Sequence, residues 1–159
     1  MKSPFDPIIV RPATEADRSF VLDLVPRLRA FGPGPLRSPE AMDSAERRIL
    51  EQAFDALPDG AVLLVAEHPA EGALGMAYAH TAADYYTQES HGHLAILAVT
   101  ERAEGRGAAS ALLAAVERWS ADQGFRFLTL NVFSGNTRAR AAYERAGYAP
   151  EVVRYLKEV

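Results

Sequence analysis

Along the chain the apolar positions alternate in some stretches and recur at helical spacing in others, and the switches between the two mark the elements. Residues 8–10 (IIV) form a short β-branched run and predict a strand. Thr14 then stands three positions before Asp17, the spacing of a capping-box-like pair, and Phe20, Val21, Leu24 and Leu28 form one helical stripe. Pro26, which has no amide hydrogen, should kink or end that helix. Residues 31–39 (FGPGPLRSP) hold two glycines and three prolines and read as a loop. Ser38 and Pro39 look like the cap and first turn of a second helix, whose buried face is expected at Ala45, Ile49, Ala53 and Phe54.

Residues 61–67 (AVLLVAE), 73–80 (ALGMAYAH) and 93–99 (HLAILAV) then read as consecutive strands of an antiparallel meander. The first connection (HPAEG) has hairpin length, whereas 81–92 is expected to be a longer loop carrying Asp84, Tyr85, Tyr86, Glu89 and His91. Beyond Val99 a glycine-rich entry leads to a helix with Leu112, Leu113, Val116 and Trp119 on one face, which Gly124 can stop. Residues 125–133 (FRFLTLNVF) predict a strand, Asn136 caps a helix running to Ala146, Gly147 ends it, and 148–157 can supply one or two last strands. This strand–helix–strand–helix–strand order favours a parallel pair within an otherwise antiparallel sheet. No internal period or low-complexity tract interrupts it.

Composition narrows the function classes. A length of 159 residues fits one domain of 1–159, with 48% hydrophobic and 24% charged residues, which excludes a disordered or collagen-like chain. The net charge of −4 has the wrong sign for a protein that grips a nucleic-acid backbone. The chain has no cysteine, so disulfides, thiolate metal sites and an acyl-cysteine intermediate are ruled out. Its four histidines lack HExxH spacing. Prolines interrupt the first ten residues (MKSPFDPIIV) and leave no secretory signal, and the apolar runs at 61–66 and 94–99 fall far short of a membrane span. A cytoplasmic protein with no membrane partner is the expectation.

The candidate chemistry sits in the turn after Val99. Gly105, Arg106, Gly107, Ala108, Ala109 and Ser110 join a strand to a helix start, where unpaired amide hydrogens and the helix dipole can hold a phosphate or pyrophosphate. The glycines bring no Cβ to block an anion, and Arg106 can add charge-assisted bonds. On these letters alone a plain helix-entry loop is the other reading. A P-loop would need Lys and then Ser or Thr after its second glycine, yet Ala108 and Ala109 follow Gly107. A dinucleotide loop would need a third glycine where Ser110 stands.

The stretch VTERAEGRGAASALL resembles the acetyl-CoA-binding motif of the GNAT superfamily of N-acetyltransferases, Q/R-x-x-G-x-G/A. Glu104 takes the Q/R place, where the family acts largely through a main-chain amide; Gly107, Ala109, Leu112, Leu113 and Val99 match. A second block, NTRARAAYERAGY, resembles the family's N-x-x-A-x-x-x-Y-x-x-x-G-F through Asn136, Ala139, Tyr143, Gly147 and Tyr148. The resemblance implies a single GNAT-like α/β domain: a mixed, mostly antiparallel sheet of six or seven strands with a splayed parallel pair, flanked by about four helices.

It also implies an acetyl-CoA-dependent transfer of an acetyl group to a primary amine by direct attack in a ternary complex, with no metal. A non-catalytic acyl-CoA sensor is the alternative. Cofactor contacts fall on Leu97, Ala98, Val99, Glu104, Gly105, Arg106, Gly107, Ala108, Ala109, Ser110, Asn136 and Tyr143. The Leu97 amide would polarise the acetyl carbonyl, Tyr143 would protonate the thiolate, and His93 would be the base. His93 lies four positions before Leu97, or roughly 13 Å along a strand, so a water relay is proposed. His91 shares its face by alternation and could pair with it on a metal, while Arg102, Arg138 and Arg140 read as solvated surface. The acceptor, a small-molecule or peptide amine, is expected between the 31–39 loop and the 84–89 segment, whose Asp84 and Glu89 read as ordinary loop charges. Exposed strand edges leave a homodimer open.

Overall fold

The computed structural model describes residues 7–34 and 36–159. The reading of residues 1–6 as lacking a signal therefore lies outside the described residues, as does Pro35 of the 31–39 loop. Strand β1 (Ile9–Pro12) leads through a 3₁₀ turn at Glu15–Asp17 into α1 (Arg18–Asp23). The Asp17 carboxylate reaches back to accept the Thr14 amide hydrogen at 2.8 Å, so the cap forms as its spacing requires. Helix α1 stops before Pro26, and the chain continues as a 3₁₀ helix over Val25–Arg29.

Helix α2 (Pro39–Asp55) starts where Ser38 accepts the Ala41 amide hydrogen at 3.1 Å. Its inward face differs from the expected stripe: Leu50 and Ala53 are buried, while Ile49 is turned outward, 37% exposed. The meander follows as β2 (Ala61–His68), β3 (Gly72–Ala83) and β4 (Ser90–Val99). Then come α3 (Ala108–Asp122), β5 (Leu128–Leu130) and α4 (Thr137–Arg145).

These strands form one sheet in the order β1-β2-β3-β4-β5, antiparallel except for the parallel β4–β5 pair. Side-chain alternation gives each face its own core. On one face Leu63, Val65, Met76, Tyr78, Ile96 and Ala98 meet Val21, Leu22, Leu50 and Ala53 of α1 and α2. On the other, Leu64, Leu74, Ala77 and Leu94 meet Ala108, Leu112, Leu113 and Val116 of α3.

Two expectations are corrected. The described residues contain five strands rather than six or seven, because 148–159 adopts no regular structure and β5 is three residues long instead of spanning 125–133. The stretch 81–92 is mostly strand: Thr81, Ala82 and Ala83 pair with Gly92, His91 and Ser90, leaving only 84–89 as connection. Asp84 closes that connection by accepting the Thr87 and Tyr86 amide hydrogens at 2.8 and 3.1 Å.

Candidate active site

The pairing of β4 decides which of its backbone groups are free. In an antiparallel ladder, alternate residue pairs exchange both of their hydrogen bonds and the pairs between them exchange none. Thr100 donates to the Leu74 carbonyl at 2.8 Å, so the exchanging pairs are Ala98 with Met76 and Ile96 with Tyr78. Leu97 and Val99 therefore turn their N–H and C=O groups away from β3, toward β5. Strand β5 pairs with β4 only from Gly92 to Leu94, so the two splay beyond that point. A register irregularity at Tyr78/Ala79 leaves Ala95 without a cross-strand partner. The Leu97 amide thus faces an open wedge, and Arg27 Nε donates to the Val99 carbonyl at 3.3 Å.

At the splayed end of β4, after Val99, the chain turns into α3. Gly105 and Gly107 have φ of +71° and +89°, values that side chains with a Cβ rarely adopt. A Cβ at either would meet nothing within 4 Å, so backbone angle rather than crowding calls for glycine there. The first helical bond runs from Ala111 N–H to the Gly107 carbonyl. Among the described residues, the amide hydrogens of Gly105, Gly107, Ala108, Ala109 and Ser110 have no acceptor. Five N–H groups and the positive end of α3 make a cradle for a diphosphate.

The charged side chains of this turn are tied elsewhere. Arg106 donates to both oxygens of Glu71 at 2.9 and 3.0 Å, and Arg102 donates to the Glu71 and Ala73 carbonyls. Glu104 is gripped by Arg27 on one oxygen and by Arg138 at 2.5 Å on the other. Arg138 first, and then Arg27, hold the Glu104 carboxyl below its ordinary range. A carboxylate flanked by two guanidiniums adds no net negative charge at the cradle.

Helix α4 brings up Tyr143, the expected proton donor. Asn136 accepts the Ala139 amide hydrogen at 3.1 Å and caps the helix. At the far end Gly147, with φ +96°, and Tyr148 donate to the Glu144 and Tyr143 carbonyls, which stops the helix in a Schellman motif. Tyr143 packs on the α3 side of the sheet, its ring 6.0 Å from that of Tyr148. Burial pushes its phenol above the ordinary value, so it keeps its proton, and its hydroxyl has no partner among the described residues.

On the α1/α2 face, three histidines gather beside β5. His93 Nδ1 lies 2.8 Å and His91 Nε2 3.1 Å from the hydroxyl of Thr129, and the His80 ring is 5.4 Å from that of His93. One hydroxyl donates once, so at least one of the two imidazoles presents an N–H to it. Burial, and then His80 and His91, hold His93 below the ordinary imidazole value, which keeps it neutral. A cleft of about 350 Å³ runs beside this cluster, lined by Ile49, Ala53, Asp59, Tyr78, His80 and Ala95. Glu46 lies on the inward stripe of α2, four residues before Leu50 and seven before Ala53. It is half-buried, has no hydrogen-bond or ion-pair partner among the described residues, and burial raises its carboxyl above the ordinary value.

A family model described as acetyltransferase (GNAT) family matches residues 29–148. The chain belongs to that family. An acetyl transferase candidate from Pyrococcus furiosus shares its fold with a TM-score of 0.77, at 21% identity over 96% of this chain and 100% of that one. An aminoglycoside N-acetyltransferase solved in complex with CoA gives 0.72, at 22% identity over 96% of each chain. The aminoglycoside 6′-N-acetyltransferase of Acinetobacter baumannii also gives 0.72, at 18% identity over 96% of this chain and 99% of that one. No curated protein matches the chain in sequence.

Within this acetyltransferase, the expectations for the Ala98 main chain and for the frame of the acceptor site need correction, while Arg106 and Asn136 have partners within the chain. The Ala98 main chain pairs with Met76 and faces away from the wedge. The Arg106 guanidinium is engaged by Glu71 on the β2–β3 turn. The Asn136 side-chain oxygen serves as a helix cap. The 31–39 loop packs near the start of α4, where Gly32 contacts Gly135, while the 84–89 connection sits at the opposite end of β4 from the turn, so they do not frame one acceptor site. His91 and His93 do share a face, as alternation required.

Three residues escaped the sequence reading. Arg27 and Thr129 act through partners distant in sequence, 77 residues away for Glu104 and 36 for His93, and no local pattern announces such pairs. Glu46 left a signal: it is an acid on the helical stripe shared by Leu50 and Ala53.

Proposed function

We propose that this acetyltransferase transfers the acetyl group of acetyl-CoA to a primary amine by direct attack in a ternary complex, the acceptor being a small molecule or a peptide amine. The observation that carries the reading is the run of five unpartnered amide hydrogens, at Gly105 and from Gly107 to Ser110, next to the splayed outer edge of β4. The cradle fits a diphosphate and the wedge fits an extended amide-bearing arm, with the Val99 and Leu97 main chain along it. Acetyl-CoA supplies the reactive thioester.

Each remaining demand falls on a group of this chain. The Leu97 N–H donates to the acetyl carbonyl oxygen, where charge builds as the amine adds. Tyr143 holds a proton at its hydroxyl for the departing sulfur. His93, neutral and oriented by Thr129, takes the amine's proton through water, since the spacing to Leu97 is roughly 13 Å. Glu46 faces the cleft side of the sheet and draws the amine there by charge.

The test is a screen of aminoglycosides, amino sugars, polyamines, amino acids and lysine peptides with acetyl-CoA, reading thiol release and product mass. Coenzyme binding without thiol release for any amine supports the sensor alternative. With an acceptor in hand, Tyr143→Phe should lower kcat about 100-fold while the dissociation constant of CoA changes less than about twofold. Unchanged turnover removes Tyr143 from the reaction.

A further inference from the structure

The turn that forms the cradle is poorly held by packing. Gly105, Arg106 and Gly107 are all exposed, and a Cβ built at either glycine would meet nothing within 4 Å. Each glycine also has a wide choice of backbone angles, so a Gly-Arg-Gly run left to itself samples many conformations. Such a turn loses affinity in proportion to the time it spends in the wrong arrangement, because only the competent one aims its amides at an anion. A backbone bond from Arg106 N–H to the Ala103 carbonyl at 3.2 Å restrains the middle of the run. Any further restraint has to come through a side chain, and of the three residues Arg106 alone has one.

That side chain ends on Glu71, 35 residues earlier, on the connection between β2 and β3. Nη1 and Nη2 donate to the two carboxylate oxygens at 2.9 and 3.0 Å, a paired geometry that fixes the guanidinium in orientation as well as in position. Glu71 is itself seated. Its side chain is 17% exposed, its amide hydrogen goes to the His68 carbonyl at 3.1 Å, and the residues on either side of the connection, His68 and Gly72, close the β2–β3 ladder. Arg102, at the start of the same turn, adds a second strut by donating to the Glu71 and Ala73 carbonyls at 3.2 and 3.0 Å. An isolated surface ion pair contributes little, but a two-point pair on a mostly covered carboxylate within a network keeps its geometry.

Two roles for this pair predict opposite signs. If Arg106 gripped the diphosphate, Glu71 would compete with the ligand, and removing its carboxylate would strengthen binding. If Arg106 braces the main chain, the same removal weakens binding. The geometry favours the brace: the terminal nitrogens of Arg106 are committed to Glu71, while the amides on either side of it, at Gly105 and from Gly107 onward, are the unpartnered ones. We infer that Glu71 is a positioning residue of the coenzyme site, holding the 105–107 main chain through Arg106 so that its amides converge on the diphosphate. Glu71 acts without touching the ligand. The role presupposes that the amide run holds the diphosphate, as proposed above.

The test is a double-mutant cycle on the full chain, with CoA as the probe and calorimetric titration as the readout. Glu71→Gln and Arg106→Gln should each raise the Kd of CoA about fivefold, and the double variant should also be about fivefold weaker, because both substitutions remove the same brace. With an acceptor amine in hand, the loss should appear in the KM for acetyl-CoA, with kcat changed less than about twofold. Arg106→Lys, which keeps one charged bond to Glu71, should recover part of the affinity, and thermal melts check that each variant is folded. Tighter binding by Glu71→Gln overturns the inference and makes Glu71 a competitor of the diphosphate. Unchanged binding by either single variant, or losses that multiply in the double variant, overturn it as well. Gly107→Ala separates the brace from the cradle: if it weakens CoA while Glu71→Gln does not, the cradle stands and the brace falls, and if neither weakens CoA both fall.

Discussion

At the scale of single residues, the site depends on ionisable groups whose surroundings set their charge. Glu46 is the clearest case, because burial raises its carboxyl and no partner among the described residues offsets the cost. Its folded value lies above its unfolded one, so the folded state loses stability as pH rises from the ordinary carboxyl range through the raised value. Glu46→Gln is therefore expected to raise Tm at pH 8 and to raise it less at pH 4. If Glu46 receives the amine, the same variant lowers kcat/KM for the acceptor about tenfold or more with the KM for acetyl-CoA unchanged. Parallel melts and steady-state kinetics check both.

His93 shifts the other way. Its folded value lies below the ordinary 6.5, so unfolded chains bind more protons in the window beneath 6.5. The stability associated with neutral His93 is full above that value and drains as pH falls through the window. Turnover should hold level down to about pH 6.5 and decline only below it, an acid limb that His93→Ala removes along with most of the rate. A pH–rate profile of both proteins decides it, and full activity of the variant from neutral to mildly acidic pH would exclude His93 as the base.

At the scale of elements, the glycine-rich turn and the helix ends do separate jobs with the same backbone conformation. Gly107 (φ +89°) opens α3 at the cradle, whereas Gly124 (φ +78°) closes it at the far end. A Cβ at either position meets no neighbour within 4 Å, so alanine introduces backbone strain alone. Both Gly107→Ala and Gly124→Ala should cost about 1–2 kcal/mol of stability. Only Gly107→Ala should also weaken CoA, by about tenfold or more, because it alone re-aims the unpartnered amides. Denaturant melts and CoA titrations of the pair separate fold from function.

Much at this scale was legible beforehand. Ser38, Asn136 and Gly147 marked their helix ends to within a residue, since capping is a short-range matter of one side chain and the next few amides. The buried stripe of α2 was misplaced by one position because Ile49 and Leu50 fit a helical period equally well and only the neighbouring sheet chooses between them. The length of β3 and β4 was underestimated for a similar reason: Thr81, Ala82 and Ala83 have ordinary propensities and become strand through their partners Gly92, His91 and Ser90.

At the scale of the whole molecule, the wedge exists because β4 is held on one side and released on the other. Gly75 helps to hold it: a Cβ there would lie 2.8 Å from the Ala98 carbonyl oxygen and the Val99 side chain, and 3.2 Å from Leu112 of α3. Gly75→Ala must push β4 or α3 away, and is expected to cost about 1–3 kcal/mol and to weaken CoA as the outer edge of β4 moves. Calorimetric Tm and CoA affinity should fall together; a loss of neither would show that β4 tolerates displacement.

Arg27 works at the same scale, joining the helical layer to the Val99 carbonyl and to Glu104, which Arg138 of α4 holds in turn. The family motif could place Glu104 beside a diphosphate, but it could not reveal the two guanidiniums that balance its charge.

The order of strands and helices, the glycines of the turn, the caps of α4 and membership of the acetyltransferase family are written in the sequence, because each rests on residues within a few positions of one another. The exclusion of the Ala98 main chain from the wedge, the pairing of Arg106 with Glu71 and the unpaired Glu46 were decided only by the tertiary structure. They follow from ladder parity and from contacts between residues tens of positions apart, and neither quantity has a local signature.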